Sequence, residues 1–69
     1  MADNNRLDLQ ALQEISPEIF RGVKRMVKLG RTPLDIAHHV GRYWPEMGNA
    51  FYLTVEGAAR ELIRGQEEA

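Results

Sequence analysis

The chain has no cysteine and only one serine among its 69 residues. Neither a disulfide nor a thiolate–metal site can brace it, and a reducing compartment is the expected setting. Cysteine chemistry is excluded, and the lone serine, Ser16, stands directly before Pro17, where a helix cap is the expected use of its hydroxyl. No apolar run approaches the roughly 20 residues that a membrane span requires. The opening residues Met1-Ala2-Asp3-Asn4-Asn5 lack the basic start and apolar stretch of a secretory leader. A cytoplasmic protein with no membrane partner is expected. Gly-rich phosphate loops are missing too, and acids such as Glu56 and Glu61 read as surface residues. A chain this small has little volume with which to enclose a substrate pocket. We expect no enzyme, no cofactor and no small-molecule substrate.

Net charge is nearly absent as well, at −1 with a pI of about 6.1. That total hides a segregation. Residues 21 to 42 hold six basic side chains (Arg21, Lys24, Arg25, Lys28, Arg31, Arg42) and one acid, Asp35, for a local charge of +5. The rest of the chain holds three basic residues and nine acids, for −6. Bulk attraction to a polyanion is therefore not expected, whereas a local positive surface can act on a partner within about a Debye length, ~8–10 Å.

One domain is the natural organisation of 69 residues, with polar, frayed ends expected at 1–5 and 66–69. A unit of this size buries only about 60% of its unfolded surface, so a tight helical core or a partner copy is needed. In the first segment Asp8 can cap a turn or two running to Ile15, with Leu7 and Leu12 as a hydrophobic staple, and Leu7-Asp8-Leu9 also permits a short extended piece. The second helix, about Pro17 to Leu29, is better marked. Ser16 caps it, Pro17 fits its first position, Glu18 matches the dipole and Gly30 suits the left-handed stop. Ile19, Phe20, Val23, Met26 and Val27 share one face, and Arg21, Lys24, Arg25 and Lys28 share the opposite one. A third helix starts at Thr32-Pro33, with Thr32 and Asp35 at capping-box spacing; Leu34, Ile36, Ala37 and Val40 face in, and Asp35, His38 and His39 face out. Gly41 ends this helix or starts a turn.

From Arg42 onward two readings stay open. A helix from Pro45 or Asn49 places Met47, Phe51, Val55, Ala58 and Leu62 on one face. Alternatively Ala50 to Val55, rich in aromatic and β-branched residues, forms a strand that Gly57 separates from a closing helix, Ala58 to Arg64.

The stretch Thr32-Pro33-Leu34-Asp35-Ile36-Ala37-His38-His39-Val40-Gly41 resembles the first helix and turn of helix-turn-helix DNA-binding domains, through Ile36, Ala37, Val40 and Gly41. The segment Phe51-Tyr52-Leu53-Thr54-Val55-Glu56-Gly57, running into Ala58-Ala59-Arg60-Glu61-Leu62-Ile63, resembles the wing and last helix of winged members of that family. Only nine residues separate Gly41 from Phe51, so either the recognition helix is very short or the segment from Pro45 is that helix and there is no wing. The resemblance implies an all-α, compact three- or four-helix bundle with a helix-turn-helix-like core, with or without a short β wing near 50–55. It also implies a DNA-binding, transcription-associated regulatory module, with a homodimer expected because so small a unit has little surface to read a site alone.

Candidate contacts are Arg31, His39, Arg42 and Tyr43 near the turn and Asn49 beyond it, with Lys24, Arg25 and Lys28 supplying phosphate attraction. The plainer reading of the basic row is a solvated face complementing the acidic ends of the same chain. The alternative function is a protein-interaction module, a small regulator, inhibitor or adaptor, that uses Tyr43 and Trp44 as interface anchors; the plainer reading of Trp44 is closure of a small core. Asp35, His38 and His39 share a helix face, but adjacent histidines point about 100° apart and no further ligand completes a set, so no metal is expected.

Overall fold

The structure, a computed structural model, describes residues 4–68, with side chains over 6–67. Four α-helices follow one another: α1 Asn4–Ile15, α2 Pro17–Lys28, α3 Pro33–Tyr43 and α4 Asn49–Glu68, with a 3₁₀ turn at Pro45–Met47 before the last. No strand occurs among the described residues. The fold is a small all-α bundle, and no helix is long and apolar enough to cross a membrane.

Local signals place the breaks. Each proline opens an element, where its missing N–H leaves no hydrogen bond unmade. Ser16 alone separates α1 from α2 and serves both. Its N–H donates to the Leu12 carbonyl at 3.0 Å, while its Oγ accepts from the Ile19 N–H at 3.3 Å. Gly30, at φ +87, closes α2 as a Schellman motif: its N–H donates to the Val27 carbonyl and the Arg31 N–H donates to that of Met26. Thr32 Oγ1 accepts from the Asp35 N–H at 3.1 Å and opens α3. Gly48, at φ +91 and ψ 162, lies in a region essentially reserved for glycine and turns the chain into α4.

Each helix contributes a stripe to one core. Leu12 comes from α1; Ile19, Val23 and Val27 from α2; Ile36, Ala37 and Val40 from α3; Phe51, Val55, Ala58 and Ala59 from α4. Helix α4 touches all three others, and its broadest contact is with α1. There Asp8 lies across Gly57, which is buried and has no room for a Cβ.

Several expectations need correction. Helix α1 begins at Asn4, so Asp8 is an interior residue and not a cap, and Leu7, 61% exposed, staples nothing. Leu34 does not face in. It is 56% exposed because it precedes Ile36 by two residues, about 200° around the helix. Gly41 neither ends α3 nor starts a turn; α3 runs on to Tyr43, and Gly41 receives the Tyr52 ring, whose nearest atoms would lie 3.7 Å from a Cβ there. The β wing does not form: residues 50–55 lie inside α4, and the Phe51, Val55, Ala58 face is the buried one. Helices also occupy parts of both stretches expected to be frayed ends, Asn4 and Asn5 and 66–68; the other residues of those stretches lie outside the described residues.

Candidate functional site

The candidate cations separate into groups that the sequence does not distinguish. All six basic residues of the 21–42 segment are exposed. Lys24 and Lys28 line an open depression of about 450 Å³ between α1, α2 and the end of α4, facing Leu9, Leu62 and Glu61. The Lys24 ammonium also sits 5.3 Å from the centre of the Phe20 ring, a cation–π contact that holds the amine against its own helix. Arg25 and Arg21 lie exposed on the same helix outside that depression.

Arg31, His39 and Arg42 come together. With Asp35 and His38 they line a second concavity of about 280 Å³ along the exposed side of α3. The spacing 31, 35, 38, 42 accounts for this, because steps of three and four keep residues on one helical face. The arginines stand at the two ends of the row and the single carboxylate between them. Tyr43 extends the row: its ring lies 4.6 Å from that of His39, tilted by 42°, and meets Trp44 edge-on at 6.4 Å. Tyr43 is 63% exposed, whereas Trp44 is half-buried against the core. The Trp44 carbonyl accepts a 2.6 Å hydrogen bond from the Tyr52 hydroxyl, which ties the end of α3 to α4.

Asn49 stands apart from this row, at the start of α4. It lines a third, larger groove of about 750 Å³ between α3 and α4, whose floor is Ala37, Gly41 and Tyr52 and whose flanks carry Leu34 and Leu53. His38 and Arg42 border both this groove and the α3 concavity. Neither Leu34 nor Leu53 stood out as a functional candidate. The signal was present: each lies two residues from a core residue, Ile36 and Val55, and so on the far side of its helix.

The cations of the two charge zones behave differently. In α4, Arg60 Nη2 reaches Glu56 Oε2 at 2.6 Å and Arg64 Nη2 reaches Glu61 Oε1 at 2.6 Å, so these arginines are neutralised within their own helix. None of the six basic residues from 21 to 42 forms an ion pair with a described residue. Among the described residues no group of three or more histidine or acidic side chains is placed to hold a metal ion.

Burial between α1 and α4 raises the Asp8 carboxyl above its usual 3.8. It lies on the α1–α4 contact, away from the basic row, and belongs to the packing of the bundle. Comparisons of the chain with protein-family models, with curated proteins and with solved structures gave no significant match.

Proposed function

We propose that the protein is a small DNA-binding, transcription-associated module that docks on the phosphate backbone through α3 and the turn before it. The observation that carries this reading is the absence of any ion-pair partner, among the described residues, for the six exposed cations of residues 21–42, beside arginines in α4 that are already paired. Unpaired surface cations keep their counterions until a polyanion displaces them, and release of those counterions drives association.

Arg31 and Arg42 bracket Asp35 on α3, so phosphate contacts concentrate at the two ends of the row and avoid its middle. His39 and Tyr43 offer a ring pair beside Arg42, while Arg21, Lys24, Arg25 and Lys28 add longer-range attraction. Base reading has less to draw on. The exposed side chains at the start of α4 are Asn49, Ala50 and Leu53, of which Asn49 alone carries a donor–acceptor pair suited to a base edge. These contacts position the protein on a duplex more than they select a sequence. The likeness of Thr32 to Gly41 to the first helix of helix-turn-helix domains supports the same assignment, with α3 and α4 as the paired helices.

Anisotropy of a labelled duplex across a salt series tests the reading. Affinity should fall linearly on a log–log plot, with a slope of about −0.9 for each phosphate contacted. Arg31→Ala and Arg42→Ala should each make that slope shallower by about one. A duplex affinity indifferent to salt, or to both substitutions, overturns the assignment. A second reading, a protein-interaction module, is favoured by the exposure of Leu34, Leu53 and Tyr43.

A further inference from the structure

We propose that the depression between α1, α2 and the end of α4 binds one anionic amphiphile, a free medium-chain alkyl carboxylate, with its tail on the apolar floor and its head at Lys24 and Lys28. Nothing in this site depends on the nucleic-acid reading, whose phosphate contacts lie on α3 and the turn before it.

The depression exists because one side chain is missing. Steps of four and three along α4 carry its inner stripe through Phe51, Val55, Ala58 and Leu62, and the next step falls on Gly65. There a hydrogen stands where the stripe calls for an apolar side chain. Neither backbone nor packing demands this glycine. It lies inside the helix, its φ is not positive, and a Cβ built on it meets nothing within 4 Å. It also weakens the helix that carries it. Its effect is to leave the core open beyond Leu62. Leu9 from α1 and Leu62 from α4 stay half-buried there, with the nearly covered Val27 of α2 beside them. The space of about 450 Å³ falls within the ~300–1,000 Å³ of small-molecule sites.

The rim decides what kind of molecule fits. Lys24 and Lys28, four residues apart, stand one turn apart on one face of α2. Neither ammonium meets a carboxylate among the described residues. The acid on the lining, Glu61, is neutralised, because Arg64 Nη2 reaches both its oxygens, at 2.6 and 2.8 Å. The mouth is thus positive over an apolar floor. A neutral hydrocarbon would leave the two ammoniums without a counter-charge, and a bare small anion would leave the leucines uncovered. A chain with a carboxylate at one end satisfies both. Three helices wall the recess, which suits one such chain lying in it and not a bilayer surface pressed across it.

NMR titration of the isotope-labelled chain, without nucleic acid, tests the proposal, with octanoate and decanoate held below the concentration at which they aggregate. Saturable one-site shifts are expected at Leu9, Lys24, Val27, Lys28, Leu62 and Gly65. Decanoate should dissociate at about 0.05–1 mM, the range for roughly a dozen atoms in an open site. Each added methylene should tighten binding about two- to fourfold. Octanol lacks the charge and should bind about fivefold more weakly than octanoate, and Lys24→Gln with Lys28→Gln should lose a similar factor. Gly65→Leu supplies the missing side chain, alters no charge and favours the helix. It should weaken decanoate at least ~tenfold by filling the floor, while circular dichroism shows the fold retained. An absence of saturable decanoate binding overturns the proposal, and so does binding that Gly65→Leu leaves intact or an octanol affinity equal to that of octanoate. Shifts that appear only once the amphiphile aggregates would make a lipid surface the occupant, and the same shifts on concentrating the chain alone would make it a second copy; either result overturns the proposal. The salt series on DNA is a separate measurement, so the two proposals fail separately.

Discussion

Gly57 and Gly22 are both interior residues of helices, and alanine should act oppositely on them. A glycine in a helix interior is less favourable than alanine by about 0.8–1 kcal/mol. At Gly22 a new Cβ meets nothing within 4 Å, so Gly22→Ala should keep that whole gain. For a domain of this size 1 kcal/mol moves the melting temperature by roughly 4–8 °C. At Gly57 the new Cβ would fall on the Asp8 side chain, with Asp8 Cγ at 2.8 Å and Asp8 Cβ at 3.0 Å. Rotating the carboxylate away does not suffice, because the Asp8 Cβ is fixed to the α1 backbone. Helices α1 and α4 must separate by some tenths of an ångström along the broadest contact of the bundle. Such overpacking costs about 1–3 kcal/mol, which matches or exceeds the propensity gain. Gly57→Ala should therefore melt below Gly22→Ala by about 1–3 kcal/mol, and at or below the parent. Adding Asp8→Ala removes the two atoms in closest conflict and should recover part of the loss, a coupling of about 0.5–3 kcal/mol in a double-mutant cycle. Urea unfolding of the four chains, followed by circular dichroism, provides the measurement. If Gly57→Ala proves as stable as Gly22→Ala, the close approach of α1 and α4 does not limit the packing and the reasoning is refuted.

Other predictions follow from the same contacts. Gly41→Ala should stabilise the protein by up to about 1 kcal/mol in thermal melts, because the Tyr52 ring stands at ordinary contact distance, 3.7 Å; a turn glycine would give a loss instead. Gly48→Ala should destabilise by about 1–3 kcal/mol in the same assay, since φ +91 with ψ 162 excludes a Cβ. Leu12→Ala, at a side chain with no exposure, should cost about 2.7–5 kcal/mol by urea titration, most of what a domain of this size holds. The raised pKa of Asp8 makes the folded state the tighter proton binder, so its contribution to stability is complete below 3.8 and is lost as pH rises through the higher folded value. The gain in melting temperature on Asp8→Asn should accordingly be smaller below pH 3.8 than at neutral pH, and a difference that is flat with pH would contradict it.

The parts of the fold that were legible in the sequence are those written locally. Ser16 and Thr32 cap the helices they precede, Gly30 closes α2, and the opposed faces of α2 point as their spacing implies. The misread positions are those where one residue type serves two backbone roles. Gly41 and Gly48 both look like stops; only Gly48 has a positive φ, and Gly41 is a recess for an aromatic ring. Asp8 looks like a cap, yet three helical residues follow Asn4 before it. The β-forming run from Ala50 to Val55 yields to a 20-residue helix whose Phe51, Val55 and Ala58 line the core, since burial along a helical stripe outweighs the propensity of six residues. Of the candidate site, the charge row was legible because α3 is regular. The groove was not, because it needs the angle between α3 and α4, and no spacing in the sequence encodes that angle.

Helix α4 is contacted by every other helix and follows all of them in the chain. On the ribosome, α1, α2 and α3 therefore emerge before the surface that they cover has been made. At about 5–20 residues per second, the 20 residues of α4 take one to a few seconds to synthesise, and for that time Leu12, Val23, Ile36 and Val40 lack their central partner. Closing the core therefore awaits α4, and a chain truncated before Ala58 should be readily degraded by proteases, because it lacks much of the helix that the other three pack against.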